Sequence, residues 1–252
     1  MFIKRLKRRL ARIISKDTHI ETYFNVPFKF YDSRVYFVNE RIIEVPFVFS
    51  ELKADKKSLK IFDFGCTRSW VALSLASMGH MVYGIDLRPY PFRHKNLMFR
   101  KQNILDFTER GFDIAIALSS LEHVGLGAYG EEHNPGTLTE VMVKINELLK
   151  EGGRFLVTVP AGKSSTDGFM RSFTPDEIET LAASAGFSLE KGRYFKRQNP
   201  TQWLPCSRED IPGISNHPAD RRKAYGGANG VGCLVFLKGN GAPNNTELTI
   251  NN

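Results

Sequence analysis

The sequence predicts an α/β domain built on a doubly wound, mostly parallel sheet of seven strands. Three observations predict it. Short apolar runs alternate with helical patterns from residue 59 onward. One run, residues 112–118, is almost wholly apolar, as a strand covered on both faces must be. The first run, residues 59–64, ends in a glycine-containing turn that leads straight into a helix. At 252 residues and 42% apolar content, the chain is large enough for one such domain with a small appendage, and wholesale disorder is excluded.

The elements follow in order. Residues 1–20 read as a basic amphipathic helix, with Ile3, Leu6, Leu10, Ile13 and Ile14 at helical spacing and basic residues opposite. Residues 21–58 form a lead-in segment, in which 42–52 reads as a helix limited by Pro46. The main domain is expected over residues 59–240. Its strands are expected at 59–64, 81–87, 96–104, 112–118, 154–159, 187–195 and 233–238. Helices are expected at 70–78, stopped by Gly79, and at 137–149, ended by Gly152 and Gly153. A third is expected from Thr174 to Ala185, where a Thr cap, Pro175 and two acids start the helix. Residues 196–232, rich in Pro, Gly, Asn and Arg, read as a long loop. Residues 241–252 read as a disordered polar tail.

The net charge of +8 is concentrated at one end. Residues 1–16 hold Lys4, Arg5, Lys7, Arg8, Arg9, Arg12 and Lys16 and no acid, which leaves 28 basic residues against 27 acidic ones elsewhere. A near-neutral body disfavours extensive phosphate contacts, so a nucleic-acid partner is not expected. The basic arm suits an anionic membrane surface, and equally a helix packed on its own domain. An RNA-directed arm is a third reading. No apolar run is long enough to span a bilayer, and no apolar segment of the signal-peptide kind follows the basic start. Cys66, Cys206 and Cys233 are too few and scattered for a disulfide framework, which points to a reducing, cytoplasmic compartment.

The chemistry concentrates in Asp63, Phe64, Gly65, Cys66, Thr67, Arg68 and Ser69. A glycine after the strand lets the backbone approach a ligand closely. Asp86 follows Gly65 by 21 residues, at the end of the next strand, where a carboxylate can accept both hydroxyls of a ribose. The dinucleotide pattern G-x-G-x-x-G is absent, which disfavours hydride transfer. Asp63 before the glycine suits a cationic ligand.

These residues resemble the first motif of the class I S-adenosylmethionine-dependent methyltransferases, D/E-x-G-x-G-x-G, with Thr67 and Ser69 in place of the later glycines. The resemblance implies a Rossmann-like methyltransferase fold and S-adenosylmethionine as cofactor. It places Asp63, Gly65, Cys66, Asp86, Leu87, Asn103, Ile104, Asp106 and Ser119 against the cofactor, with Asp86 on the ribose and Asp106 near the adenine amino group. Ser119 to Glu131 also resembles methyltransferase-like proteins associated with bacterial surface-glycan synthesis. That finer resemblance implies a hydroxyl acceptor on a glycan, with the basic arm holding the enzyme peripherally at the membrane.

His123 lies just past the fourth strand, at the rim where such sheets bind ligands, and is the candidate general base. Glu122 is a candidate to orient it, to replace it or to face the cofactor. Glu131, Glu132 and His133 read as a solvated loop rather than a metal site. Gly162, Lys163 and Ser164 lack the first glycine of a phosphate loop. Arg221, Arg222 and Lys223, with Tyr225, suit either a clamp for an acidic acceptor or a mobile surface loop. Three other readings remain open: an RNA or protein methyltransferase, a binding module that kept the fold and lost the chemistry, and a small-molecule methyltransferase whose basic arm is only structural.

Overall fold

The computed structural model describes residues 38–52, 58–67, 69–216 and 228–239. The predicted basic helix, most of the lead-in segment, the Arg221–Lys223 cluster and the tail lie outside these residues. The elements are α1 (Arg41–Leu52), β1 (Lys60–Phe64), α2 (Val71–Ser77), β2 (Met81–Asp86), β3 (Leu97–Lys101), β4 (Phe112–Leu118), α3 (Thr137–Leu148), β5 (Leu149–Pro160), β6 (Ser165–Thr166), β7 (Arg171–Ser172), α4 (Pro175–Ser184), β8 (Phe187–Asn199), β9 (Gln202–Cys206) and β10 (Gly230–Lys238).

The main sheet has the order β3-β2-β1-β4-β5-β10-β8-β9. The pairs from β3 to β5 are parallel, and β10 is antiparallel to both β5 and β8. Helices cover both faces. Leu138, Val141, Met142 and Ile145 of α3 and Ile178 and Ala182 of α4 pack into one core. Phe47, Val48 and Leu52 of α1 and Val71, Ala72 and Leu75 of α2 pack into the other. The doubly wound reading holds, and β4 is buried along nearly all its length as its composition requires.

Four details differ from expectation. The main sheet has eight strands rather than seven, because β9 forms inside the segment read as a loop. It is an edge strand, where Pro205 costs no ladder bond on its solvent side. The strand expected at 96–104 ends at Lys101, and Ile104–Asp106 forms a 3₁₀ turn capped by Asn103. Gly152 and Gly153 do not end a helix. They lie inside β5, where the pairing with β4 slips between Phe112 and Ile114. Finally, α1 runs through Pro46. The proline removes one backbone bond, and burial of Phe47, Val48 and Leu52 offsets it. The lead-in helix is thereby part of the domain core.

Candidate active site

The chain runs from β1 outward to β3, then returns to place β4 on the other side of β1. The strand order therefore reverses between β1 and β4, and the crevice beyond their C-terminal ends is where open α/β sheets take ligands. A cavity of about 580 Å³ lies there, within the range of small-molecule sites.

Gly65 forms its floor. Its φ of +71° is left-handed, and a Cβ at this position would sit 2.4 Å from Ser120 Oγ. The glycine therefore makes room for the Ser120 side chain in a conformation that other residues rarely adopt. Thr67 is not left-handed, since Ser119 is the one non-glycine residue with positive φ among those described. The β-branched side chain therefore costs the turn nothing, and the Thr67 N–H donates to Asp86 Oδ2 at 2.9 Å. Ser69 takes over as a cap, its Oγ accepting from Val71 N at 3.0 Å.

Asp86 lines the cavity and is 7% exposed. Its Oδ1 accepts from Arg88 N at 2.9 Å and Arg88 Nε at 3.1 Å, and its Oδ2 accepts from Thr67 N and, at 3.3 Å, from an Arg88 guanidinium nitrogen. All the acceptor positions of a carboxylate are thus in use. The Arg88 guanidinium also lies 4.1 Å from the centre of the Tyr129 ring.

At the end of β4, Ser119 is held in its left-handed conformation (φ 45°) by its N–H bonds to Thr158 O and Oγ1, both 3.0 Å. Its hydroxyl donates to Glu44 of α1. Strained backbone of this kind gathers at functional sites. Glu122 follows in a 3₁₀ turn, 3% exposed, with Oε2 lacking any hydrogen-bond partner. Burial, opposed by a backbone bond and reinforced by Glu44, pushes its pKa to about 8. His123 Nδ1 lies 2.6 Å from the Phe169 carbonyl. A carbonyl only accepts, so Nδ1 carries the proton and Nε2 keeps its lone pair. Burial lowers the pKa of this imidazole below its usual 6.5, which keeps it neutral and ready to take a proton.

Gly65, Asp86, Leu87, Asn103, Ile104, Ser119, Glu122 and His123 all line the cavity, as their positions in the sequence predict. Three predicted residues do not. Asp63 shares its strand face with buried Ile61 and lies behind the turn, 2% exposed. Burial and the neighbouring Asp86 raise its pKa to about 8, and its Oδ2 has no partner. Cys66 is buried in the core, its Sγ packed at Gly84. Asp106 is exposed, because the 3₁₀ turn gives the cavity Leu105 instead. Glu131 binds the Ala128 and Tyr129 N–H groups, and no cluster of three metal-ligating side chains exists among the described residues.

Sequence reasoning missed the first turn of α1. Glu40 and Arg41 line the cavity, and Arg41 Nη1 donates to Glu44 Oε2 at 2.9 Å and to Leu118 O at 3.4 Å. Their only signal was an acid–arginine–acid spacing ahead of an apolar helix.

Comparison with known proteins agrees with this architecture. Residues 97–171 match the model of a family described as a Caenorhabditis protein of unknown function, DUF268. No curated protein matches the chain. Among solved structures, the chain is similar to 1,6-didemethyltoxoflavin-N1-methyltransferase from Burkholderia thailandensis, solved with 1,6-didemethyltoxoflavin and S-adenosylhomocysteine. The two are 16% identical over 92% of this chain and 90% of that one, with a TM-score of 0.54. It is also similar to magnesium protoporphyrin IX methyltransferase (ChlM) from Synechocystis PCC 6803, solved with S-adenosylhomocysteine, at 12% identity over 93% and 99% of the two chains and a TM-score of 0.52. A third is the [4+2]-cyclase SpnF, 16% identical over 77% and 79% of the chains, with a TM-score of 0.51. The chain has the Rossmann-like fold of these methyltransferases. A cyclase on the same fold means that the reaction must be argued from the site.

Proposed function

We propose that the chain is an S-adenosylmethionine-dependent methyltransferase whose acceptor atom is a hydroxyl oxygen. The observation that carries this reading is the cavity at the β1–β4 reversal, whose lining brings together a left-handed glycine, Asp86 and a neutral imidazole. The residues fit the cofactor. Gly65 lines the cavity in a left-handed turn where a Cβ would collide with Ser120, and the orphaned Oδ2 of Asp63 lies behind the same turn. Asp86 and Leu87 suit the ribose, and Asn103, Ile104 and Leu105 suit the adenine. The cofactor supplies a methyl carbon made electrophilic by a positive sulfur.

His123 supplies the proton acceptor. With the cofactor bound as methyl donor, Nε2 would take the proton of the attacking hydroxyl. The Phe169 carbonyl, bonded to Nδ1–H, fixes the tautomer and stabilises the imidazolium that forms. The β6–β7 hairpin that carries Phe169 is tied down again by Arg171, which donates to Val124 O at 2.5 Å. The rest of the work is alignment and exclusion of water.

The likeness of Ser119–Glu131 to glycan-associated proteins supports a sugar of a surface or lipid-linked glycan as the acceptor. The basic segment 1–16 supports a peripheral place on the inner face of the cell membrane. No described helix is long and apolar enough to cross one. The test is calorimetric titration with S-adenosylhomocysteine, followed by incubation of methyl-labelled cofactor with surface glycans from a strain lacking the protein. Binding and label in an ether linkage are expected. Absence of binding at millimolar ligand rules the reading out, and label on nitrogen rules out the hydroxyl.

A further inference from the structure

We propose that Glu122, together with Glu40 in the lining of the same cavity, forms a subsite for a primary ammonium group of a ligand. The inference deepens the methyltransferase reading and rests on it for the choice of probe. Both residues line the same cavity, one from the turn after β4 and one from the residue before α1. Each has a buried Oε2 without a hydrogen-bond partner. Glu122 is almost wholly buried. An ionised carboxylate in such a place needs a cation or several donors.

The charges already present do not satisfy it. Arg41 is paired with Glu44, which also accepts the Ser119 hydroxyl. Arg197 approaches Glu40 only to 3.9 Å, and its donors go to the Val38 and Ala228 carbonyls. The basic group beside Glu122 is His123, whose Nε2 lies 3.8 Å away and which burial keeps neutral. Glu44 and Glu40 add negative charge around Glu122, opposed by Arg41. The cavity lining therefore holds six carboxylates, Glu40, Asp86, Glu122, Glu131, Glu132 and Glu140, against two arginines, Arg41 and Arg88, which bond Glu44 and Asp86. A metal ion is the poorer occupant, since no three ligating side chains converge among the described residues. An ammonium needs only acceptors, offers three donors and lessens the excess of negative charge.

The ammonium can come from the amino-acid end of the cofactor or from an amino group on the acceptor. Full-length chain is titrated calorimetrically at pH 7 with S-adenosylhomocysteine and with its deamino analogue, in two buffers of different ionisation enthalpy. Glucosamine and glucose are compared by ligand-observed NMR. We expect the amine-bearing member of one pair to bind about tenfold tighter and to release a proton as Glu122 ionises. Glu122→Gln should abolish both the preference and the proton release, and Glu40→Gln should weaken the preference. Loss of the S-adenosylhomocysteine preference assigns the cofactor, and loss of the glucosamine preference assigns the acceptor. If Glu122→Gln, with its melting curve intact, changes neither preference, the subsite is overturned. Mg²⁺ binding that Glu122→Gln removes also overturns it. If the parent binds neither S-adenosylhomocysteine nor its analogue, the cofactor reading fails and the glucosamine pair alone decides the subsite.

Discussion

The two ends of helix α1 handle buried carboxylates in opposite ways. Near its C-terminus, Glu51 has both oxygens filled, by Lys191 Nζ at 2.9 and 2.8 Å and by an Arg154 guanidinium nitrogen at 2.7 Å. Burial alone would raise its pKa, but these two cations hold it below the usual carboxylate range. At the other end, burial and Glu44 raise Glu40 to about 7. Glu122, in the lining of the same cavity, sits near 8. One end is finished by folding and anchors the helix to β5 and β8. The other is left incomplete, and beside a cavity such unpaired groups are candidates for completion by a ligand.

The sharpest way to break this contrast is to change turnover and stability separately. His123→Ala should lower kcat by about 10²–10⁴ while S-adenosylhomocysteine binds within twofold of the parent and melting is unchanged. Activity within a few-fold of the parent removes His123 as the base. In the parent, the acidic limb of the kcat/KM profile should fall below pH 6.5, because burial lowers the imidazole pKa. An acidic limb well above 6.5 would mean that another group titrates.

At the anchored end the effect should be on stability alone. Glu51→Gln removes the carboxylate charge that Arg154 and Lys191 share and turns one acceptor into a donor, while Arg154 keeps Glu190. Both cations are partly solvated, so the loss is well below that of a fully buried pair, at about 2 kcal/mol. For a chain of this size that is roughly 4–8 °C in Tm. A deficit below about 1 °C would show that α1 is held by its apolar face alone.

The same helix end shows how far the sequence could be read. Gly65 and Asp86 were legible because a strand, a turn and a spacing of 21 residues are local features. His123 was legible because it follows the most apolar strand. Glu40, Arg41 and Glu44 were not, because they meet the site only through a fold that brings Glu44 to Ser119, 75 residues away. Asp106 misled because the strand stops early and a 3₁₀ turn swings it outward. The strand β9 was hidden by Pro205, which reads as loop unless the strand is known to be an edge.

The pH dependence of stability sharpens the contrast further, because the two acids carry opposite signs. Glu51 is lowered, so its stabilisation is full above the ordinary carboxylate pKa and is lost as pH falls through the folded value. Glu122 is raised from 4.5 to about 8. Its folded form therefore holds a proton that the unfolded chain has released, and stability drains away as pH rises from 4.5 to 8. Glu122→Gln removes that loss. Its Tm advantage should be near zero at pH 4.5 and grow to a few degrees by pH 8.5. The Glu51→Gln deficit should shrink below pH 4.5. Parallel curves for the two variants would contradict the assignment.

The smallest expected effect lies at Asp86, the proposed ribose residue, which resembles Glu51 in being fully bonded. Two of its four donors are backbone N–H groups fixed by the turn, and two come from the Arg88 side chain. A ribose must therefore share or displace the guanidinium, which has a second seat on the Tyr129 ring. Arg88→Ala frees those two acceptor positions and removes a partly exposed pair worth little in itself. S-adenosylhomocysteine should then bind up to about threefold tighter, since the competing bonds are charge-assisted but solvated. A tenfold loss of affinity would reverse the reading. Arg88 would then be a ligand-holding group, and Asp86 would serve chiefly to aim it.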